Sequence, residues 1–185
     1  GMKLTKGLGV GGDPNMGMEA AEESREELTD MVGESDMVFI AAGLGGGTGT
    51  GAAPVVAQIA KELGILTIAV VTKPFAFEGN RRKLSAEQGI ARLVDKVDTL
   101  IVIPNERLLS LCDEDVTAES AFKMADDVVQ QGVKSIADLI TTPGEINLDF
   151  ADVKAIMSNA GPAWMAIGHG TGPNRAVEAA QAALA

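Results

Sequence analysis

Three short apolar runs, residues 37–42, 65–71 and 99–103, constrain this 185-residue chain more than any other feature. None alternates polar with apolar residues, so both faces of each strand need covering, as in central parallel strands. Helical patterns lie between them. Residues 54–63 put Val55, Val56, Ile59 and Leu63 on one stripe, with Pro54 at its start and Gly64 just past its end. Ser85-Ala-Glu-Gln88 reads as a capping box that opens a helix carrying Ile90, Leu93, Val94 and Val97 inward. An earlier acidic helix is expected over about residues 19–32, with Ala21, Leu28 and Val32 for packing. A long helix follows over residues 118–140, ~35 Å at 1.5 Å per residue, and Pro143-Gly144 ends it. Residues 163–168 read as a further strand and 173–184 as an Ala-rich amphipathic helix. Strand alternating with helix predicts an α/β fold, a three-layer Rossmann-like parallel sheet flanked by helices.

Composition narrows the function. Fifteen basic against 26 acidic residues give a net charge of −11, which disfavours general adhesion to nucleic acid or anionic membrane. With no Tyr, one Trp and five Phe, the chain has too few aromatics for a base-stacking platform. Cys112 is the single cysteine, so no intrachain disulfide or cysteine metal cluster forms, and a reducing, cytoplasmic compartment is expected. No apolar run approaches the ~20 residues that span a bilayer. Gly1 ahead of Met2 reads as a residue left by tag removal and is excluded from fold reasoning. His169 is the sole histidine, so a histidine metal cluster is excluded. Trp164 reads as a core or patch residue.

The chemistry concentrates in Gly43-Leu-Gly-Gly-Gly-Thr-Gly-Thr-Gly51, which joins the first strand to the next helix. Six of its nine residues are glycine, so the backbone can approach a ligand closely. Its amides, with the positive end of the helix, suit phosphate, and Thr48 and Thr50 can add hydroxyl donors. The Lys-Ser/Thr ending of a P-loop is missing, which disfavours an ordinary P-loop NTPase. Gly47-Thr-Gly-Thr-Gly-Ala52 satisfies the permissive dinucleotide pattern. The next strand, however, ends Val70-Val-Thr-Lys73 without the carboxylate that would hold a ribose, so a dinucleotide-dependent oxidoreductase keeps only half its evidence.

Gly45-Gly-Gly-Thr-Gly-Thr-Gly51 closely resembles the signature loop of the tubulin/FtsZ superfamily. Its surroundings are similar to the FtsZ branch, GTPases that form the division ring in bacteria. The supporting segments are Leu4-Thr-Lys-Gly-Leu-Gly-Val-Gly-Gly-Asp-Pro-Asn-Met-Gly17, Val71-Thr-Lys-Pro-Phe75, Phe77-Glu-Gly-Asn-Arg-Arg82 and Ile146-Asn-Leu-Asp-Phe-Ala-Asp-Val153. The resemblance runs along essentially the whole chain and implies GTP or GDP as ligand, with Mg²⁺ accompanying GTP. It implies that Gly43, Gly46, Gly47, Thr48 and Gly49 hold phosphates and that Gly9, Gly11 and Gly12 sense the γ-phosphate. Glu78 and Arg82 would contact ribose and phosphates; without the resemblance they read as a solvated i,i+4 ion pair worth ~0.3–0.5 kcal/mol. Asn105, Phe122 and Asp126 match base-contacting positions. Phe122 and Asp126 share one helix face, and a carboxylate can accept from guanine N1 and N2, where adenine offers no such donor pair. Asn147, Asp149 and Asp152 match the acidic loop that completes hydrolysis on the GTP held by the next subunit. Asp149 or Asp152 can also serve as a helix N-cap. Glu145 departs from the family, which has an apolar residue there.

The resemblance further implies head-to-tail self-association, a cytoplasmic place at the division site, no nucleic-acid partner and no direct membrane insertion. Residues 1–160 are expected to be a partial GTP-binding domain that includes the long helix (118–140) and the acidic loop (144–152). Residues 161–185 are expected to open an incomplete C-terminal domain. The chain is therefore read as a fragment lacking the family's first strands and first phosphate loop, binding GTP weakly or not at all. The strand at 37–42 would then be an exposed apolar edge that favours a homodimer or larger assembly. A structural or interaction module of the same fold without turnover is the second reading.

Overall fold

The computed structural model describes residues 1–110, 116–142, 148–166 and 168–184. Four strands among them, β1 (Met37–Gly43), β2 (Leu66–Lys73), β3 (Thr99–Pro104) and β4 (Gly161–Ala163), form one parallel sheet in the order β1-β2-β3-β4. β1 pairs with β2 from Met37–Leu66 to Gly43–Thr72, so the carboxyl ends of neighbouring strands finish level. The helices are α1 (Pro14–Glu23), α2 (Arg25–Val32), α3 (Thr48–Glu62), α4 (Asn80–Leu93), α5 (Asn105–Leu109), α6 (Ala118–Thr141), α7 (Phe150–Met157) and α8 (Arg175–Leu184).

The non-alternating runs become strands covered on both faces. On one side Ala69, Val71 and Leu100 pack against Ala53 and Ala57 of α3 and Ala86 and Leu93 of α4. On the other, Leu66, Ile68, Val70, Ile101 and Ile103 meet Val128, Val129, Val133 and Ile136 of α6. This is the expected three-layer arrangement. A third cluster joins Ala21 of α1 and Val32 of α2 to Val55, Ile59 and Ala60 of α3. Asp98 ties strand starts together: its carboxylate accepts from the amides of Thr67 (2.9 Å) and Asn159 (3.1 Å), and its carbonyl from that of Gly161 (2.8 Å).

Several element boundaries depart from the sequence reading. α4 opens at Asn80, directly after Gly79 with its φ of 93°, so Ser85 lies inside the helix and is no N-cap. The expected acidic helix is two helices, because the chain breaks at Ser24, where the Ser24 amide bonds back to Ala21. α3 begins six residues before Pro54, which sits inside it. The strand expected at 163–168 runs instead over Gly161–Ala163, where β3 offers partners, and Trp164 just beyond it is 99% exposed. The long helix matches its expected span closely, headed by Thr117, whose side chain accepts from the Ser120 amide. Cys112, Pro143, Gly144, Glu145 and Asn147 lie outside the described residues.

α1 crosses α3 with almost no space between backbones. A Cβ on Gly51 would meet the carbonyl oxygen of Pro14 and lie 2.6 Å from the amide of Met18. In an open helix Gly→Ala gains about 1 kcal/mol. Here Gly51→Ala is expected to destabilise by about 1–3 kcal/mol, since overpacking against backbone has no side chain to move; urea unfolding measures it.

The N-terminal segment is held by Glu23, whose carboxylate accepts from the amides of Lys3 (2.8 Å) and Leu4 (3.0 Å). The Lys3 amide bond, with that of Leu4, holds the Glu23 carboxyl below its ordinary value of 4.5. A depressed carboxyl contributes its stabilisation above that ordinary value and loses it as pH falls through the folded value. Acidification below about pH 4.5 is therefore expected to release Lys3 and Leu4 first, read as a rise in their amide exchange relative to β2. Equal protection of both segments throughout the acid titration would disprove the tether.

Candidate nucleotide site

The glycine-rich loop spans the gap between β1 and α3, and its glycines act in different ways. Gly45 turns the chain at φ 106°, and its amide donates to Thr50 Oγ1 at 2.9 Å. Thr50 is 1% exposed, so its hydroxyl pins the loop and is not presented as a donor to a ligand. A Cβ on Gly47 would strike Val10, and one on Gly49 would sit 2.6 Å from the Gly43 carbonyl. Gly46 faces open space. The amides of Thr48, Gly49 and Thr50 head α3, where a helix has no carbonyl of its own to offer them. No side chain caps that end.

Beside the loop lies a cavity of 790 Å³ at the carboxyl edge of the sheet. Gly43 and Gly46 come from the loop, Thr72 and Pro74 from the end of β2, and Glu78 and Arg82 from the start of α4 and the turn before it. Asn105 comes from α5; Phe122, Asp126, Gln130 and Lys134 come from α6. Asn105 is 4% exposed, and its Oδ1 has no hydrogen-bond partner among the described residues. A buried polar atom left in that state costs about 1–3 kcal/mol unless something else satisfies it. Glu78 accepts from Arg82 at 2.6 Å and from the Phe75 amide at 2.9 Å, so one carboxylate both aims the guanidinium and holds the turn. Phe75 and Phe77 stack at 5.0 Å, and Phe122 meets both edge-on at 5.5 and 5.9 Å. That contact fixes the Phe122 ring while leaving the residue 42% exposed.

A second cavity of 880 Å³ adjoins the first through shared Gly46 and Arg82. Gly11, Gly12, Asp13, Arg81, Ser85 and Gln88 also line it. Ser85 Oγ is buried there without a partner among the described residues.

The fold thus brings Gly43, Gly46, Glu78, Arg82, Asn105, Phe122 and Asp126 to one cavity, with Gly11 and Gly12 in its neighbour. Gly9, Gly47, Thr48 and Gly49 line neither, and Thr48 borders a separate recess under the N-terminal segment. Asp149 caps α7, accepting from the Ala151 amide, and Asp152 lies in the first turn of that helix; neither borders the two cavities. Sequence reasoning missed Gln130, Lys134, Arg81 and Ser85. A signal existed for the first two: Phe122, Asp126, Gln130 and Lys134 recur every fourth residue, one inclined row on a helix surface.

Residues 1–113 match the family described as Tubulin/FtsZ family, GTPase domain. This chain belongs to that family. Among solved structures it is similar to an empty FtsZ dimer from M. jannaschii, with 53% identity and a TM-score of 0.94 over 100% of this chain and 53% of that one. A point variant of the M. jannaschii FtsZ gives the same identity and TM-score, with 55% of its chain covered. CetZ1 from Haloferax volcanii, in its GDP-bound monomer, is 26% identical with a TM-score of 0.69, over 91% of this chain and 49% of that one. The chain therefore spans about half the length of the FtsZ and CetZ chains it resembles.

In this member of the Tubulin/FtsZ family, Thr50 should hold the loop's shape. Thr50→Val removes the acceptor for a buried amide and is expected to cost about 1–3 kcal/mol in urea unfolding. A cost near zero would mean the Gly45 amide finds water.

Proposed function

We propose that this chain is the nucleotide-holding part of an FtsZ-type GTPase, with GTP or GDP in the cleft formed by the two adjoining cavities. The observation that carries the reading is that Gly46 of the strand-to-helix loop and Asp126 of the long helix line a single cavity, together with Asn105, whose Oδ1 is buried without a partner among the described residues. A purine nucleotide laid along that cleft would place its phosphates by Gly46, the head of α3, Gly11, Gly12 and Arg82. Its base would lie by Asn105, Phe122 and Asp126. Asp126 is exposed and accepts no hydrogen bond from another described side chain, so its carboxylate is free to take the N1 and N2 donors of guanine. Lys134 and Arg82 bring positive charge to a chain whose net charge is −11.

Asn147, Asp149 and Asp152 are proposed to act on the nucleotide of the next subunit in a head-to-tail filament. Asp149 and Asp152 border neither cavity of their own chain, which suits that role. Two carboxylates there would orient a water and accept its proton at the γ-phosphate. The reading carries with it a cytoplasmic, division-site role for the whole protein and self-association through the filament contact. β1, hydrogen-bonded only to β2 among the described strands, offers the isolated chain a second route to self-association. Among the described residues no group of three or more acidic, histidine or cysteine side chains could hold a metal. Magnesium would arrive on the phosphates, and no step of the reading depends on it.

Titration of the chain with GDP and ADP, followed by amide NMR, tests the binding half. Weak guanine-selective shifts at Gly46, Asn105 and Asp126 are expected, and Asp126→Ala should reduce guanine affinity by about 10–100-fold, the worth of hydrogen bonds to a charged group. Equal response to both nucleotides would overturn it. For the catalytic half, the chain is added to an intact FtsZ, and turnover is expected to rise with the native chain but not with Asp149→Ala/Asp152→Ala.

A further inference from the structure

We propose that Arg81 holds the third phosphate of a nucleotide in the cleft and so sets a preference for GTP over GDP, a role that rests on the nucleotide reading above and goes one step beyond it.

The two cavities share Gly46 and Arg82, whereas Arg81 lines the second cavity and not the first. With its base by Asp126 in the first cavity, a nucleotide enters the second phosphate end first. The phosphate farthest from the base then lies deepest there, and a diphosphate falls one group short. A side chain that lines the second cavity alone therefore acts on GTP far more than on GDP.

Part of that cavity's wall is bare backbone. Gly11 and Gly12 stand at φ 61° and 82°, and a Cβ on either meets nothing within 4 Å. Another part is α4, which contributes Arg81, Ser85 and Gln88, spaced i, i+4 and i+7 along one helix face. Of these three, Arg81 alone carries charge.

The other charged groups on the second cavity are already committed. Asp13 caps α1, accepting from the Asn15 amide at 2.9 Å, and Arg82 donates to Glu78 at 2.6 Å. The Arg81 guanidinium makes no ion pair among the described residues. With Arg82 balanced by Glu78, Asp13 by itself would leave a negative wall that repels a triphosphate. Arg81 cancels that charge and offers a planar fork of donors that suits phosphate. Its position returns nothing to the helix, because a cation in the first turn opposes the positive end of α4.

The experiment titrates the full chain with GDP and with the β,γ-methylene analogue of GTP, followed by ¹H–¹⁵N spectra that include the arginine side-chain Nε–H. The analogue is expected to bind about tenfold more tightly than GDP, the worth of hydrogen bonds to a charged group, and to shift the Arg81 Nε–H where GDP does not. Arg81→Met should erase that preference, the loss falling on the analogue. Arg81→Lys, which keeps the charge without the fork, should retain part of it. A preference unchanged in Arg81→Met, or an equal loss for both nucleotides, overturns the assignment, as does a native chain that does not distinguish them. Shifts at Gly46 and Asp126 with both nucleotides but no dependence on Arg81 defeat this role alone. Silence at Gly46 and Asp126 defeats the nucleotide reading with it.

Discussion

The burial of β2 on both faces is the constraint on which the rest of the structure depends. Leu66 through Thr72 are all buried, with α3 and α4 packed on one side and α6 on the other. Such a strand cannot slip by one residue without driving its side chains into the wrong layer. Its carboxyl end is therefore a fixed point, and the loops after β1, β2 and β3 emerge beside one another there. A ligand site at that edge follows from the packing beneath it.

Precision at that edge comes from backbone groups that are spoken for. The Gly45 amide goes to Thr50, the Phe75 amide to Glu78 and the Ala76 amide to Glu106. Each bond consumes a polar group that could have faced the ligand and in return holds a loop in place. What stays unpaired is correspondingly informative: Asn105 Oδ1 and Ser85 Oγ belong to residues that line the cavities. The structure spends its interior donors and acceptors on shape and leaves a few at the rim for chemistry.

The aromatic contacts show the same division. Phe75 is fully buried, Phe77 stacks on it, and Phe122 stands edge-on to both. The ring expected to meet a base is thus braced by two others, which lowers the entropy lost when something stacks on its exposed face. The residue is braced on one side and open on the other.

The amino-acid pattern by itself determined the layers, the span of the long helix and the strand-to-helix placement of the glycine loop. These depend on local periodicity and on residues next to one another in the chain. It could not determine where α4 begins: Ser85 reads as the start, whereas the helix opens at Asn80, directly after Gly79 at φ 93°. Nor could it show that Thr50 turns inward or that Asn105 is buried without a partner, because both facts arise from segments that the chain brings together after folding. The meeting of Gly46 with Asp126 is of that kind too: 80 residues separate them, and the sheet with α6 laid across it sets them around one cavity. Local order is written in sequence; proximity between distant residues belongs to tertiary structure, which alone decides which polar groups end up facing one another.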